Sequence, residues 1–170
     1  NLKKLSANSN QLASIPNSIG KLTNLIELNL YDNQLSNLPE SIGNLLQLKR
    51  LKVGHNNLSS LPKSISKLKK IAKLQINHNE LKSLPNNICN INFDKNKIQS
   101  FISGNNYLCE DVPACTEELP GFNYEYDSNG YPFYQPQNCV ICDPGFRGIL
   151  RLSDNITIGD GGTCFYKSDL

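Results

Sequence analysis

The 170-residue chain contains no methionine and no tryptophan, and only two histidines. Nowhere do about 18 apolar residues follow one another, so no segment reads as a membrane-spanning helix. The opening residues, NLKKLSANSN, lack the apolar core of a signal peptide. With methionine missing too, the sequence reads as a mature form or a piece of a longer protein. Acidic residues are scarce in one half only. Residues 1–100 carry fourteen Lys/Arg against five Asp/Glu, and residues 101–170 carry three against ten. Two regions of different character are therefore expected. The lysines of the first are spread evenly and lack interleaved aromatics, which fits a solvated surface and not a nucleic-acid interface. There is no G-x-S-x-G, no phosphate loop, no paired carboxylates in an evident cleft and no Cys-His nucleophile pair. No enzyme activity and no cofactor are expected.

What is present is repetition. Asn10, Asn33, Asn56 and Asn79 stand 23 residues apart without an insertion. Around them returns the frame L-x-x-L-x-L-x-x-N-x-L-x-x-L-P-x-x-I-x-x-L-x-x. Leu28 and Leu30 alternate with Glu27, Asn29 and Tyr31, the period of a short strand buried on one face. Leu51 with Val53, and Leu74 with Ile76, repeat the pattern. Each frame asparagine falls where the chain must turn inward, and its amide can satisfy backbone groups there. Pro39, Pro62 and Pro85 stiffen the outer segment, and Ile42 with Leu45, like Ile65 with Leu68, suits one short helical turn. One unit cannot bury its leucines alone, so the units must stack.

The frame resembles the leucine-rich repeat in its 23-residue form with a Leu-Pro step, over residues 1–100. The resemblance implies an α/β horseshoe arc, with parallel strands on the concave face and short 3-10 or helical turns on the convex face. Four full repeats are expected, and then a shortened one with a final strand, in which ICNINFDKNKIQSF supplies Ile91, Phe93, Asn96, Ile98 and Phe101 in frame. The stretch SFISGNNYLCEDVPAC, within residues 101–118, is similar to the C-terminal cysteine cap of plant-type extracellular repeat proteins. Phe101, Gly104, Asn105, Leu108, Cys109, Pro113 and Cys115 match, while Glu110 stands where the family has Gly. That resemblance implies a Cys109–Cys115 disulfide. Residues 119–170 are left as a small Cys-rich, loop-rich module.

Six cysteines, five of them within 56 residues, suggest a disulfide framework. With Cys109–Cys115 assigned, Cys89, Cys139, Cys142 and Cys164 allow three connectivities. CVICDPGFRG…GGTC is similar to an epidermal-growth-factor-type ending, which favours Cys142–Cys164 and leaves Cys89 for Cys139. The single C-x-x-C, Cys139 with Cys142, lacks a second half for zinc. Sequons at Asn57 and Asn155 agree with an oxidising, extracellular setting. The aromatic run between Phe122 and Pro136 reads as a substitute for a core or as a contact surface. Asp127, Asn129 and Asp160 read as turn residues, not calcium ligands.

The strand frame predicts four outward columns about 4.8 Å apart from unit to unit. They are Lys4, Glu27, Arg50, Lys73 and Asn90; Ser6, Asn29, Lys52, Gln75 and Asn92; Asn8, Tyr31, Gly54, Asn77 and Asp94; and Ser9, Asp32, His55, His78 and Lys95. His55 and His78 could share a metal or form a pH-sensitive pair, but read as two solvated strand-end residues. A polar, mildly basic surface suits another macromolecule, acidic or glycosylated, and not a small-molecule pocket. The expected function is extracellular recognition or adhesion, as a receptor-ectodomain module. The alternative is a structural subunit that stacks its N-terminal repeat face on a neighbour.

Overall fold

A computed structural model describes residues 1–94, 101–104, 108, 113–117, 119, 124–126, 132–134, 140–142 and 164–166. Each repeat begins with a three-residue strand: β1 (Lys4–Ser6), β2 (Glu27–Asn29), β3 (Arg50–Lys52) and β4 (Lys73–Gln75). They are too short to persist alone; the neighbours hold them. All pair in parallel, with Leu5, Leu28, Leu51 and Leu74 in one row. Each strand leads through a turn to a proline and a five-residue 3-10 turn: Asn17–Lys21, Glu40–Asn44, Lys63–Lys67 and Asn86–Asn90. The proline fixes an extended approach and has no N–H to lose. Its carbonyl accepts from the isoleucine three residues on, at 3.0 Å in Pro39–Ile42 and Pro62–Ile65. That isoleucine then turns inward, and Ile42, Ile65 and Ile88 are fully buried.

The core is the space between the strand row and the outer turns. Leu28, Leu35, Leu45, Leu51, Leu58, Leu68, Leu74 and Leu81 all reach zero exposure there. Each contributes about 1.5–3 kcal/mol against the entropy of ordering its coil. In the first coil the equivalent residues Leu5, Leu12 and Ile15 are only half-buried.

The frame asparagines form the expected ladder. Asn56 Oδ1 accepts from Leu35 N at 2.9 Å, while its Nδ2 donates to the carbonyls of Leu30, Val53 and Gly54 at 3.0–3.1 Å. Asn33 and Asn79 repeat the arrangement one coil away on either side. Each amide thus ties its own turn to the preceding coil.

The fifth strand departs from expectation. Ile91 and Phe93 were predicted to form it; instead β5 is Phe101–Ile102, with Phe101 paired to Leu74 and Ile102 to Gln75. Ile91 and Phe93 are buried (3% and 7%), and the Phe93 ring packs edge-on against Phe101 at 5.2 Å. They are apolar because they fill the end of the core, not because they pair. The described residues of the cap-like stretch follow the coil frame. Phe101 stands in the row of Leu74, Ser103 in that of Ile76, and Leu108 in that of Leu81, and all three are buried. Pro113 then opens α1 (Ala114–Glu117), and its carbonyl accepts from Thr116 N at 2.8 Å as Pro85 does from Ile88. Asn96 lies outside the described residues.

The disulfide expectation is corrected as well: Cys115 bonds Cys89, not Cys109, with Cα atoms 5.8 Å apart. This also removes the proposed Cys89–Cys139 pair. The cause lies in the stacking. Cys89 occupies the row of Gly20, Gly43 and Ser66; Cys115 occupies the row of Ser41, Ser64 and Asn87. A Cβ built on Gly43 would stand 2.5 Å from Ser64 Cβ, and one on Gly20 would stand 2.6 Å from the Ser41 carbonyl. In these two rows successive coils approach closely on the convex side. Cysteines placed in these two rows meet across coils, as Cys89 and Cys115 do.

Two antiparallel pairs complete the described residues: β6 (Tyr124–Tyr126) with β7 (Pro132–Tyr134), and β8 (Val140–Cys142) with β9 (Cys164–Tyr166). In the second pair Cys142 and Cys164 are directly opposite. Cys109, Cys139, Asn155, Asp127, Asn129 and Asp160 lie outside the described residues.

Candidate functional site: the concave sheet

The register confirms the first two columns from β1 to β4: Lys4, Glu27, Arg50 and Lys73, and beside them Ser6, Asn29, Lys52 and Gln75. Their last members do not. Asn90 ends a 3-10 turn, Asn92 is displaced by Ile102, and Asp94 lies outside the strands. Lys95 is outside the described residues. The misplaced fifth strand is the common cause.

Charge collects where the chain enters the strands. Glu27 Oε2 accepts from Arg50 at 2.9 Å, and Lys52 approaches its other oxygen at 3.9 Å. The Arg50 hydrogen bond, with the charges of Arg50, Lys52 and Lys4, holds the Glu27 carboxyl below the usual range. One carboxylate therefore serves several cations. Lys73, half-buried, has its pKa lowered by burial and then by Lys52 and Arg50. An anionic group arriving here would meet cations already crowded and partly stripped of water.

The other half of the sheet is aromatic, with Asp32 at its rim. Tyr31, His55 and His78 stack in sequence, with ring centroids 4.8 and 4.0 Å apart. The two histidines are half-buried and packed ring on ring, not solvated as expected. Burial lowers the His55 pKa against the pull of Asp32, and burial with the neighbouring His55 pushes His78 down to about 4. Both rings are thus neutral at ordinary pH. Ser9, Asp32, His55 and His78 all adopt positive φ, from 49° to 59°. Asp and His are among the residues that tolerate this region. The turn that puts each frame asparagine inward demands it.

Two expected contact residues are covered. Gln75 is 5% exposed and Asn77 is 1% exposed. Gly54 explains the second: a Cβ there would stand 2.6 Å from Asn77 Oδ1 and 3.0 Å from the Tyr31 ring. The missing side chain lets both neighbours fold down over the glycine. Among the described residues, neither polar atom of the Asn77 amide has a hydrogen-bond partner. The open part of the sheet is therefore Glu27, Asn29, Tyr31, Asp32, Arg50, Lys52 and the exposed parts of His55, Lys73 and His78. Asn57 stands exposed beside the Asn56 turn, with Ser59 also exposed, so the sequon is accessible. Among the described residues no group of three or more His, Cys, Asp or Glu could hold a metal ion. No helix among them is long and apolar enough to cross a membrane.

Parallel strands stacked one per coil, with 3-10 turns opposite and an asparagine ladder between, define a parallel-strand solenoid of the horseshoe type. The chain carries leucine-rich repeats. The family profile matches residues 1–43 as two repeats, and a second profile of the same family matches residues 47–68. No curated protein shows significant sequence similarity to the chain. Among solved structures it is similar to a leucine-rich repeat protein of Leptospira interrogans, at 27% identity and TM-score 0.55, over 80% of this chain and 38% of that one. It is similar to a chain of the PEPR1–AtPEP1 complex at 27% identity and TM-score 0.53, over 67% of this chain and 16% of that one. The repeat ectodomain of the Arabidopsis thaliana membrane receptor kinase GASSHO1/SCHENGEN3, in complex with CASPARIAN STRIP INTEGRITY FACTOR 2, aligns at 24% identity and TM-score 0.56, over 71% and 17% of the two chains. That last likeness is one of fold. The chain spans well under half the length of each of these proteins.

Proposed function

We propose that the chain is an extracellular recognition module whose concave sheet binds a protein or peptide partner. The observation that carries this reading is the division of the sheet into a cationic half around Glu27, Arg50, Lys52 and Lys73 and an aromatic half of Tyr31, His55 and His78. Paired charges give orientation and on-rate, and a stacked aromatic gives buried area at low entropic cost. The likeness to PEPR1 in its AtPEP1 complex supports a partner of this kind. The Cys89–Cys115 bond and the exposed Asn57 sequon support an oxidising compartment.

The test is partner capture by cross-linking from a secreted protein pool, comparing the native chain with Tyr31→Ala and with Arg50→Glu/Lys52→Glu. Specific partners should be lost in both variants while circular dichroism is unchanged. Capture unaffected by either would discard the concave reading. Light scattering of the same samples separates the structural alternative, because self-stacking through the half-buried Leu5, Leu12 and Ile15 face would give growing assemblies insensitive to these substitutions. Thiol titration under denaturing, non-reducing conditions should find no free cysteine; four or more would overturn the extracellular assignment.

A further inference from the structure

A second surface lies beside the sheet, on the flank where the chain enters the strands. Backbone hydrogen bonds from Ile26 N to Lys3 O (2.7 Å) and from Lys49 N to Ile26 O (2.8 Å) fix the residues just before β1, β2 and β3 in one row. Two positions earlier stand Asn24, Gln47 and Lys70 in a parallel row. Between the rows runs an open groove enclosing about 720 Å³. Its charges are all of one sign. Lys3, Lys49 and Lys70 line it, all three exposed, and no Asp or Glu does. Among the described residues no carboxylate lies within ion-pair distance of these lysines, because the nearby Glu27 is engaged by Arg50 and Lys52. Lys70 Nζ is steered by a 2.6 Å hydrogen bond to Gln47 Oε1.

We propose that this groove binds an extended anionic polysaccharide. Lysines two coils apart in one row are separated by about 10 Å, twice the strand spacing, a distance that suits charges recurring along a linear polymer and not one compact anion. The remaining lining is mostly amide, from Asn24 and Gln47, which can both donate to and accept from sugar hydroxyls. Ile26 supplies the only apolar side chain in that lining, and no aromatic is present. A peptide gains its affinity from apolar anchors seated in pockets, and single-stranded nucleic acid from aromatic platforms. The groove offers neither. A cleft lined by one sign of charge also concentrates a polyanion before contact.

The test uses the full chain, with calorimetry against four probes: a sulfated oligosaccharide, an oligogalacturonate, a neutral oligosaccharide of equal length, and a poly-glutamate peptide. The expected result is binding of at least one anionic saccharide, weakening as salt rises in the way about three ion pairs require. Lys3→Gln/Lys49→Gln/Lys70→Gln should weaken it at least about tenfold. Lys21→Gln/Lys67→Gln/Lys82→Gln, which removes the same charge elsewhere, should leave it within about twofold. The first two probes separate sulfate from carboxylate as the recognised group. Binding of the neutral sugar as tight as the anionic ones, tighter binding of poly-glutamate, equal loss in both triple variants, or no anionic saccharide bound would each overturn the proposal. All six lysines are exposed, so folding is preserved and is checked by circular dichroism.

Discussion

The inner coils and the last coil close the same stack by different means. From β1 to β4 the strand row advances 23 residues per step; from Leu74 to Phe101 it advances 27. The strand register survives the added length: Phe101 still pairs with Leu74 and Ile102 with Gln75. On the convex side the difference is chemical. Gly43 admits Ser64 by having no side chain, whereas Cys89 meets Cys115 with a covalent bond. Stacking thus fixes a distance between coils, and either small residues or a disulfide can occupy it.

The largest expected effect tests whether both regions share one core. Leu51→Ala should cost about 2–5 kcal/mol and Phe101→Ala about 3–5 kcal/mol in denaturant unfolding. A Phe101 effect below about 1 kcal/mol would separate the last coil from the stack. Next comes the bond itself. Cys89→Ala/Cys115→Ala opens a loop of sequence separation 26 and should cost about 3–4 kcal/mol on chain-entropy grounds. Hydrogen exchange should place the loss in the last coil and spare the amides of β2. Loss spread evenly over all coils would erase the distinction. A smaller effect probes the non-covalent counterpart: Gly43→Ala should cost about 1–3 kcal/mol, since Ser64 Cβ and its carbonyl stand within 2.7 Å of the new methyl group. An unchanged melting temperature would mean that the inner coils can slide apart freely.

The gentlest test is pH. His55 and His78 have folded pKa values below their ordinary 6.5, so the fold favours the neutral rings. Their contribution is complete above that value and is lost as pH falls from 6.5 toward about 4. Glu27 and Glu40, lowered by their hydrogen bonds, lose theirs only below 4.5. The melting temperature should therefore begin to fall near pH 6, and His55→Asn/His78→Asn should flatten that early limb while leaving the acid one. An identical early limb in the variant would remove the ring pair as its cause.

Much of the stack was legible because its determinants are local and periodic. Leu28, Leu51 and Leu74 announce a strand face, and Asn33, Asn56 and Asn79 a turn, each at fixed spacing. The fifth strand was not, because Ile91 and Phe93 imitate the frame while serving only to fill the core. The true frame at Phe101, Ser103 and Leu108 was present, disguised by a polar residue in a buried row. The cysteine pairing was missed for a related reason. The cap resemblance implied Cys109–Cys115, whereas the bond is made between rows of different coils. Comparing the row Gly20, Gly43, Ser66, Cys89 with Ser41, Ser64, Asn87, Cys115 would have found it. On the concave sheet, column membership could be read from period two, but not the covering of Gln75 and Asn77. That depended on one glycine and the lean of a neighbouring ring.

The positive φ shared by Ser9, Asp32, His55 and His78 has a consequence for how such a surface can change. At that rim a valine, isoleucine or threonine would strain the backbone, so substitutions are confined to a short menu of glycine, asparagine, aspartate, serine and histidine. The rim can alter charge and hydrogen bonding but never acquire a branched aliphatic grip. Wider changes of side chain fall to the exposed positions of the neighbouring columns, such as Asn29 and Lys52, where the backbone is extended. One edge of the sheet is held to a narrow alphabet by its backbone, and Gly54 is held by its neighbours.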